Sequence, residues 1–421
     1  MKPYRLLPSH EQALRDQVFD ADHPGTLLRD IQTVLDFIGT EKVKASGKHG
    51  LLPPDAIRTL DQSLSRPLRL QLKRFQPSSH PYLQGLHLLL RATGLVGVEG
   101  GGTGARLVLD PNVRGLWEGL NPTERYFTLL EAWLLVGRPE MVGERARWGA
   151  SGLLDCLRMW HSVPARGVRF DLRQPQMVFI PGLWRDFYHV ALADLFGLMA
   201  VEHPPTPVQP WRPAGVKHLP FGDAVFGVLW QRFMSGSEAS LDALFAAEEG
   251  EGRFGGLQPL FQPYVPEWRK TLVLPEAEPR EGVYVFKVSL GKVWRRIAIP
   301  SKDTLADLAG AILDSVDFDD DHLYQFTYRD RFGATVEAHH EYMDETPYAA
   351  DIRIGEVPLN PGQSMTFLFD FGDNWQFDVK LEAVDPSKPR MKHPRVLERY
   401  GDALQQYPDA DEEDWDDGDE D

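Results

Sequence analysis

The chain has 421 residues, 42% of them hydrophobic, and a formal net charge of −17. That length accommodates two or three domains with real cores, and the absence of any run of about 18 uncharged apolar residues excludes a helical membrane span. Cys156 is the only cysteine, which excludes an internal disulfide and a thiolate metal cluster. With a polar N-terminus that carries no apolar signal core, the expected location is the cytoplasm.

Leu27, Ile31, Val34 and Ile38 form a helical stripe that stops at Gly39. From Lys42 to His80 the chain is locally basic, with eight Lys or Arg against two acids. Asp55–Leu64 and Tyr82–Ala92 read as helices, followed by Gly94-Leu95-Val96, a glycine-rich tip at Glu99–Gly104, and a strand-like Arg106–Leu109. Helix, turn, helix, then hairpin is the order of a winged helix, whose second helix would enter a major groove. Residues 1–122 are therefore expected to be a helical, winged-helix-like region. Lys73, Arg74, Arg91 and Arg106 are its candidate nucleic-acid contacts, against the plainer reading of solvated surface charge.

Residues 123–275 read as a helical domain. Tyr126–Val136 and Leu183–Val201 are strongly apolar, and the tryptophans spread between Trp117 and Trp230 are expected to pack between helices. Cys156 lies among Leu153, Leu154 and Leu157, the setting of a buried, inert thiol. The prolines of His203–Pro213 mark a rigid loop, and Pro275 and Pro279 place a linker at 276–282.

An α+β domain is expected at 283–407. Val283–Leu290 and Val293–Ile299 alternate with period two across Gly291-Lys292, a hairpin that Pro300 ends. Thr304 and Asp307 cap a helix whose apolar stripe is Leu305, Leu308, Ile312 and Val316. A strand follows near Leu323–Tyr328, then an irregular acidic stretch to about residue 350. A second hairpin pairs Phe367 and Phe369 with Trp375, Phe377, Val379 and Leu381. This order gives a helix on one face of a mixed sheet, with a β-grasp-like topology.

The elements Tyr284–Leu290, Trp294–Ile297, Thr304–Leu308, His322–Phe326 and Phe369–Trp375, in that order, resemble the plasmid pRiA4b open-reading-frame-three-like domain family. The resemblance implies a bacterial domain of plasmids or mobile elements, carried beside other modules. It implies no enzymatic mechanism.

The chemistry of this domain has two readings. Gly372-Asp373-Asn374 is turn chemistry, with Trp375 packed inward. Alternatively His322, Asp370 and Asp373 are catalytic candidates sharing a pocket, with Arg295, Arg296 and Trp375 binding an anionic ligand. Asp317-x-Asp319-x-Asp321 imitates an EF-hand start, but His322 replaces the required glycine and Tyr328 the bidentate glutamate. No His-Glu-x-x-His helix gathers His322, His339, His340 or His393, so no metal and no cofactor are expected. The glycine-rich tip at 100–104 lacks the Gly-Lys-Ser/Thr ending of a phosphate loop, and no Gly-x-Ser-x-Gly is present.

Asp409–Asp421 holds ten acids and no base, so residues 408–421 are expected to be a disordered acidic tail. The expected function is a non-enzymatic interaction module that contacts nucleic acid through the N-terminal region, or protein partners, with no membrane association. The alternative is a hydrolytic or nucleotide-handling enzyme using His322, Asp370 and Asp373.

Overall fold

The computed structural model describes residues 6–70, 72, 75–145, 152–170, 187–204, 211–234, 254–386, 391–402 and 406. The expected acidic tail lies outside the described residues, as do Lys73 and Arg74. Two compact units divide the chain, broadly before and after Glu276. No helix among the described residues is long and apolar enough to cross a membrane.

The N-terminal unit is mainly helical: α1 (Pro8–Arg15), α2 (Leu27–Thr40), α3 (Pro54–Ser63), α4 (Pro81–Ala92), α5 (Pro111–Glu118), α6 (Pro122–Glu131), α7 (Gly152–Ser162), α8 (Phe187–Leu195), α9 (Pro220–Phe233) and the short α10 (Gln258–Phe261). A hairpin of β1 (Val96–Glu99) and β2 (Arg106–Leu109) follows α4. A three-stranded sheet of β3 (Val168–Arg169), β4 (Met199–Glu202) and β5 (Gly215–His218) runs in the order β3-β5-β4. One hydrophobic core reaches from Leu14 to Leu272, without a break at the expected boundary near residue 122.

Helix α4 is the centre of this unit. Pro81 opens it at a position where no N–H is needed, and Gly94, at φ +70°, closes it. All twelve residues from Pro81 to Ala92 are buried. Leu86, Leu89 and Leu90 are completely covered, and each contributes roughly 1.5–3 kcal/mol by its burial. A helix buried along its whole length, Gln84, His87 and Arg91 included, belongs inside a core. The expectation that α4 enters a major groove is corrected accordingly: it has no free face to present.

In the C-terminal unit, β6 (Val283–Leu290), β7 (Val293–Pro300), β8 (Tyr324–Arg329), β9 (Thr335–His339), β10 (Ser364–Phe369), β11 (Trp375–Asp385) and β12 (Arg395–Tyr400) form one sheet in the order β12-β7-β6-β11-β10-β8-β9. Helix α11 (Leu305–Val316) follows β7. Thr304 Oγ1 accepts from the Asp307 N–H at 3.2 Å while the Asp307 carboxylate accepts from the Thr304 N–H at 2.8 Å, a complete capping box. Leu305, Leu308, Ile312 and Val316 are buried with Phe286, Ile297, Phe326, Phe367 and Phe377 from the sheet.

The α+β class holds. The strand directions, expected to be mixed, are antiparallel in every pairing between these strands. Three of those pairings are local hairpins, which are antiparallel by construction. The acidic stretch expected to be irregular contains β9, and β12 adds an edge strand that no local alternation announces.

Candidate functional site

Strand β10 turns into β11 through Asp370–Asn374. Asp370 and Asn374 both take left-handed backbone, at φ +53° and +59°. Short polar side chains tolerate that region because they bond locally. Asp370 Oδ1 accepts from the N–H groups of Gly372 at 2.8 Å and Asp373 at 3.3 Å, and its carbonyl accepts from Asn374 N–H at 2.7 Å. The Asp370 N–H donates to Leu323 O at 3.0 Å, which draws the start of β8 to the turn.

That tie brings His322 to Asp370. His322 Nε2 lies 3.6 Å from Asp370 Oδ2 and 3.7 Å from Asp321 Oδ1. Both separations are longer than a formed hydrogen bond. His322 is exposed and Asp370 is nearly buried. Asp373 is exposed, and its recorded part in the turn is a backbone N–H. Trp375 pairs across the ladder with Phe369 and meets Phe318 edge-on at 5.2 Å, as a packing residue would.

The two arginines are not ligands of this cluster. Adjacent residues in a strand face opposite ways, so Arg295 and Arg296 cannot line one pocket. Arg295 is 3% exposed; its Nε donates to Ser315 O at 2.7 Å, and its Nη1 donates to the carbonyls of Trp294, Tyr400 and Gly401 at 3.0–3.2 Å. Burial, and then the neighbouring Arg399 guanidinium, lowers its pKa from the ordinary arginine value. Arg296 faces outward, where its Nε donates to Glu382 at 2.7 Å and its Nη1 to Glu398. The expected anion-binding role is therefore corrected to two structural roles.

Of the N-terminal candidates, Arg91 is buried within α4 and Arg106 is exposed at the start of β2, bridged to Lys44. Asp317, the first residue of the EF-hand imitation, is the left-handed C-cap of α11 at φ +60°. Among the described residues no group of three or more His, Cys, Asp or Glu is placed to hold a metal ion.

Sequence reasoning missed the outward face of the sheet. Trp294 of β7 stacks on Tyr400 of β12, with centroids 5.6 Å apart and planes 9° apart. Lys287 Nζ sits 4.6 Å from the Trp294 ring centroid, a cation–π contact. Tyr400 is 59% exposed. Only the pairing of β12 with β7 unites Trp294 and Tyr400.

Residues 283–407 match the family described as plasmid pRiA4b ORF-3-like protein. The chain is similar to the uncharacterized protein y4hQ of Sinorhizobium fredii (strain NGR234), 30% identical over 111 residues, which make up 26% of this chain and 55% of that protein. The chain thus spans about half the length of the curated relative it matches. It is also similar to the crystal structure of a protein of unknown function from Methanosarcina mazei Go1, at 29% identity and a TM-score of 0.27, over 30% of this chain and 72% of that one. The C-terminal part of the chain, residues 283–407, is a domain of the plasmid pRiA4b ORF-3-like family.

Proposed function

We propose that this chain is a non-enzymatic interaction protein of bacterial plasmid or mobile-element biology, acting in the cytoplasm, and that its C-terminal domain binds a protein partner on the outward face of its sheet. The observation that carries this reading is where the reactive groups go. Asp370 holds its own turn, Arg295 holds four carbonyls, and Arg296 holds two carboxylates. The Trp294–Tyr400 stack is left facing solvent. Tryptophan, tyrosine and arginine dominate the energetic centres of protein interfaces.

Charge on this face favours a protein over a polyphosphate. Lys287, Arg296 and Lys380 share it with Asp378, Glu382 and Glu398, and phosphate backbones require uncompensated cations. Nucleic-acid contact through the basic Lys42–His80 segment is the lesser reading, because the buried α4 offers no groove-reading face. An enzyme acting through His322, Asp370 and Asp373 is a further alternative, and the 3.6 Å approach of His322 to Asp370 is what favours it.

The test is affinity capture from host-cell extract with the full chain and with its Trp294→Ala/Tyr400→Ala variant, followed by calorimetry with the purified partner. The expected outcome is a partner whose affinity falls about tenfold or more in the folded double variant. Equal affinity for both proteins would remove the assigned surface. Anisotropy with short labelled duplex and single-stranded DNA over a salt series separates the lesser reading, since phosphate contact weakens steeply with salt. Hydrolysis of a nucleotide or ester panel that disappears in His322→Ala would establish the enzyme instead.

A further inference from the structure

Two stretches of the N-terminal unit repeat one another bond for bond. After α4 comes Gly94-Leu95-Val96-Gly97-Val98-Glu99; after α8 comes Gly197-Leu198-Met199-Ala200-Val201-Glu202. Gly94 and Gly197 both take left-handed backbone, at φ +70° and +68°. The Gly94 N–H donates to Arg91 O and the Gly197 N–H to Asp194 O, each at 3.0 Å.

Both hairpins close in the same register. Val96 pairs with Leu109 and Glu99 with Arg106, as Met199 pairs with His218 and Glu202 with Gly215. The Asp110 N–H then donates to Leu95 O at 3.1 Å, and the Leu219 N–H to Leu198 O at 3.0 Å. A proline follows each time at the first helical position, Pro111 for α5 and Pro220 for α9. Within the hairpins, the loop between the strands is the part that differs in length.

The correspondence extends upstream. In the first copy, the short extended segment after α2 joins the second hairpin strand through Leu107 N–H to Val43 O and Ala45 N–H to Ala105 O, both 2.9 Å. In the second copy, β3 after α7 joins β5 by pairing Val168 with Val216, with Phe170 N–H donating to Ala214 O at 2.8 Å. In the first copy the order is α2, a short strand, α3 and α4, then a hairpin whose second strand takes the central place, which is winged-helix connectivity; in the second the described residues give α7, β3, α8 and the same hairpin.

We infer that the N-terminal unit is an internal duplication of a winged-helix-type module, and that the two helices such modules present to DNA, α4 and α8, are packed on each other instead. Gly85 makes the approach possible: a Cβ there would lie 2.7 Å from Leu192 Cγ. Tyr82 Oη locks the pair by donating to Asp194 Oδ2 at 2.9 Å in the interior. All of α4 and every residue of α8 from Tyr188 to Leu195 are buried. The surface that reads a major groove in a solitary module is here the seam between two copies.

Hydrogen–deuterium exchange on the full chain tests the inference. Amides of Leu86–Leu90 and Ala191–Leu195 are expected to exchange about 100-fold or more slowly than free chain, with Asp110 and Leu219 protected alike. Gly85→Ala is expected to speed exchange in both helices, and Leu192→Ala added to it to restore protection in both by relieving the clash. Excess duplex DNA is expected to leave both helices unchanged. Fast exchange of either helix in the native chain, loosening of α4 alone by Gly85→Ala, or DNA-induced protection of α4 would each overturn it.

Discussion

Arg295 donates from Nε to the carbonyl of Ser315 at 2.7 Å, joining β7 to the last turn of α11. Helix C-termini carry carbonyls without partners and a partial negative charge, so a buried guanidinium there both satisfies and neutralises. The same group reaches the carbonyls of Tyr400 and Gly401 and so fastens the end of β12. Arg295→Met is expected to cost about 2–4 kcal/mol, because several buried acceptors lose their donor at once. Arg295→Lys recovers little of that, since a point ammonium cannot reproduce the planar fork. Urea midpoints check both; a loss within about 0.5 kcal/mol for Arg295→Met, the range of ordinary surface changes, would contradict the structural role.

Asp370 gives a prediction that separates turn chemistry from catalysis. At φ +53° the backbone tolerates Asn and Gly but strains most other residues. Asp370→Asn keeps an oxygen acceptor for the Gly372 and Asp373 N–H groups and is expected to stay within about 0.5 kcal/mol of native stability. Asp370→Ala loses the acceptor and adds strain, and is expected to cost about 1–2 kcal/mol. Thermal unfolding distinguishes these outcomes. Equal destabilisation by Asn and Ala would mean that the carboxylate charge facing His322 matters more than the turn.

Much of the C-terminal fold is legible in local pattern. The two hairpins around Gly291-Lys292 and Asp370–Asn374 alternate over much of their length because one face of each strand meets the core, and Thr304 with Asp307 announces α11. Strand β12 is silent for the opposite reason: most of Arg395–Tyr400 is exposed, and only its pairing with β7, about a hundred residues earlier, makes it a strand. The alternation that puts Arg295 on the face of buried Ile297 forbids Arg296 from sharing it. Three of the four carbonyls that occupy Arg295 belong to residues 20 to 106 positions away and cannot be read locally. Helix α4 shows the same limit, since its run of leucines signals burial without naming α8 as the neighbour.

Two histidines tie stability to acid. Burial pushes His87 and His189 down to about 3, helped at His87 by the nearby Arg91 charge. His189 Nδ1 accepts the Trp133 indole N–H at 2.8 Å and cannot take a proton without breaking that bond. In the unfolded chain both rings titrate near 6.5, so their contribution is complete above that pH and is lost as pH falls toward 3. Between pH 6.5 and 4.5 each is expected to remove about 2 kcal/mol. Replacing His87 by Leu should take one proton out of the acid slope of unfolding free energy, read from urea titrations between pH 5 and 7. An unchanged slope would show that His87 does not stay neutral in the fold.

Glu131 imposes the opposite dependence on the same unit. Its side chain is fully covered, and its two oxygens each accept a backbone N–H at 2.7 Å, from Gly255 and Leu257. Burial outweighs those two bonds and raises the carboxyl from 4.5 to about 7. Below about 4.5 the group is protonated whether folded or not and contributes no slope. Between there and about 7 the folded state holds a proton that the unfolded state has released, so stability falls as pH rises. Above 7 the penalty levels off at about 3 kcal/mol. In Glu131→Gln the amide faces one N–H with its own donor, a cost that does not vary with pH. The variant's stability relative to the native chain is therefore expected to improve by about 3 kcal/mol from pH 4.5 to pH 8, whatever its offset. A difference that stays flat across that range would mean that the two backbone donors hold Glu131 ionised in the fold at pH 5.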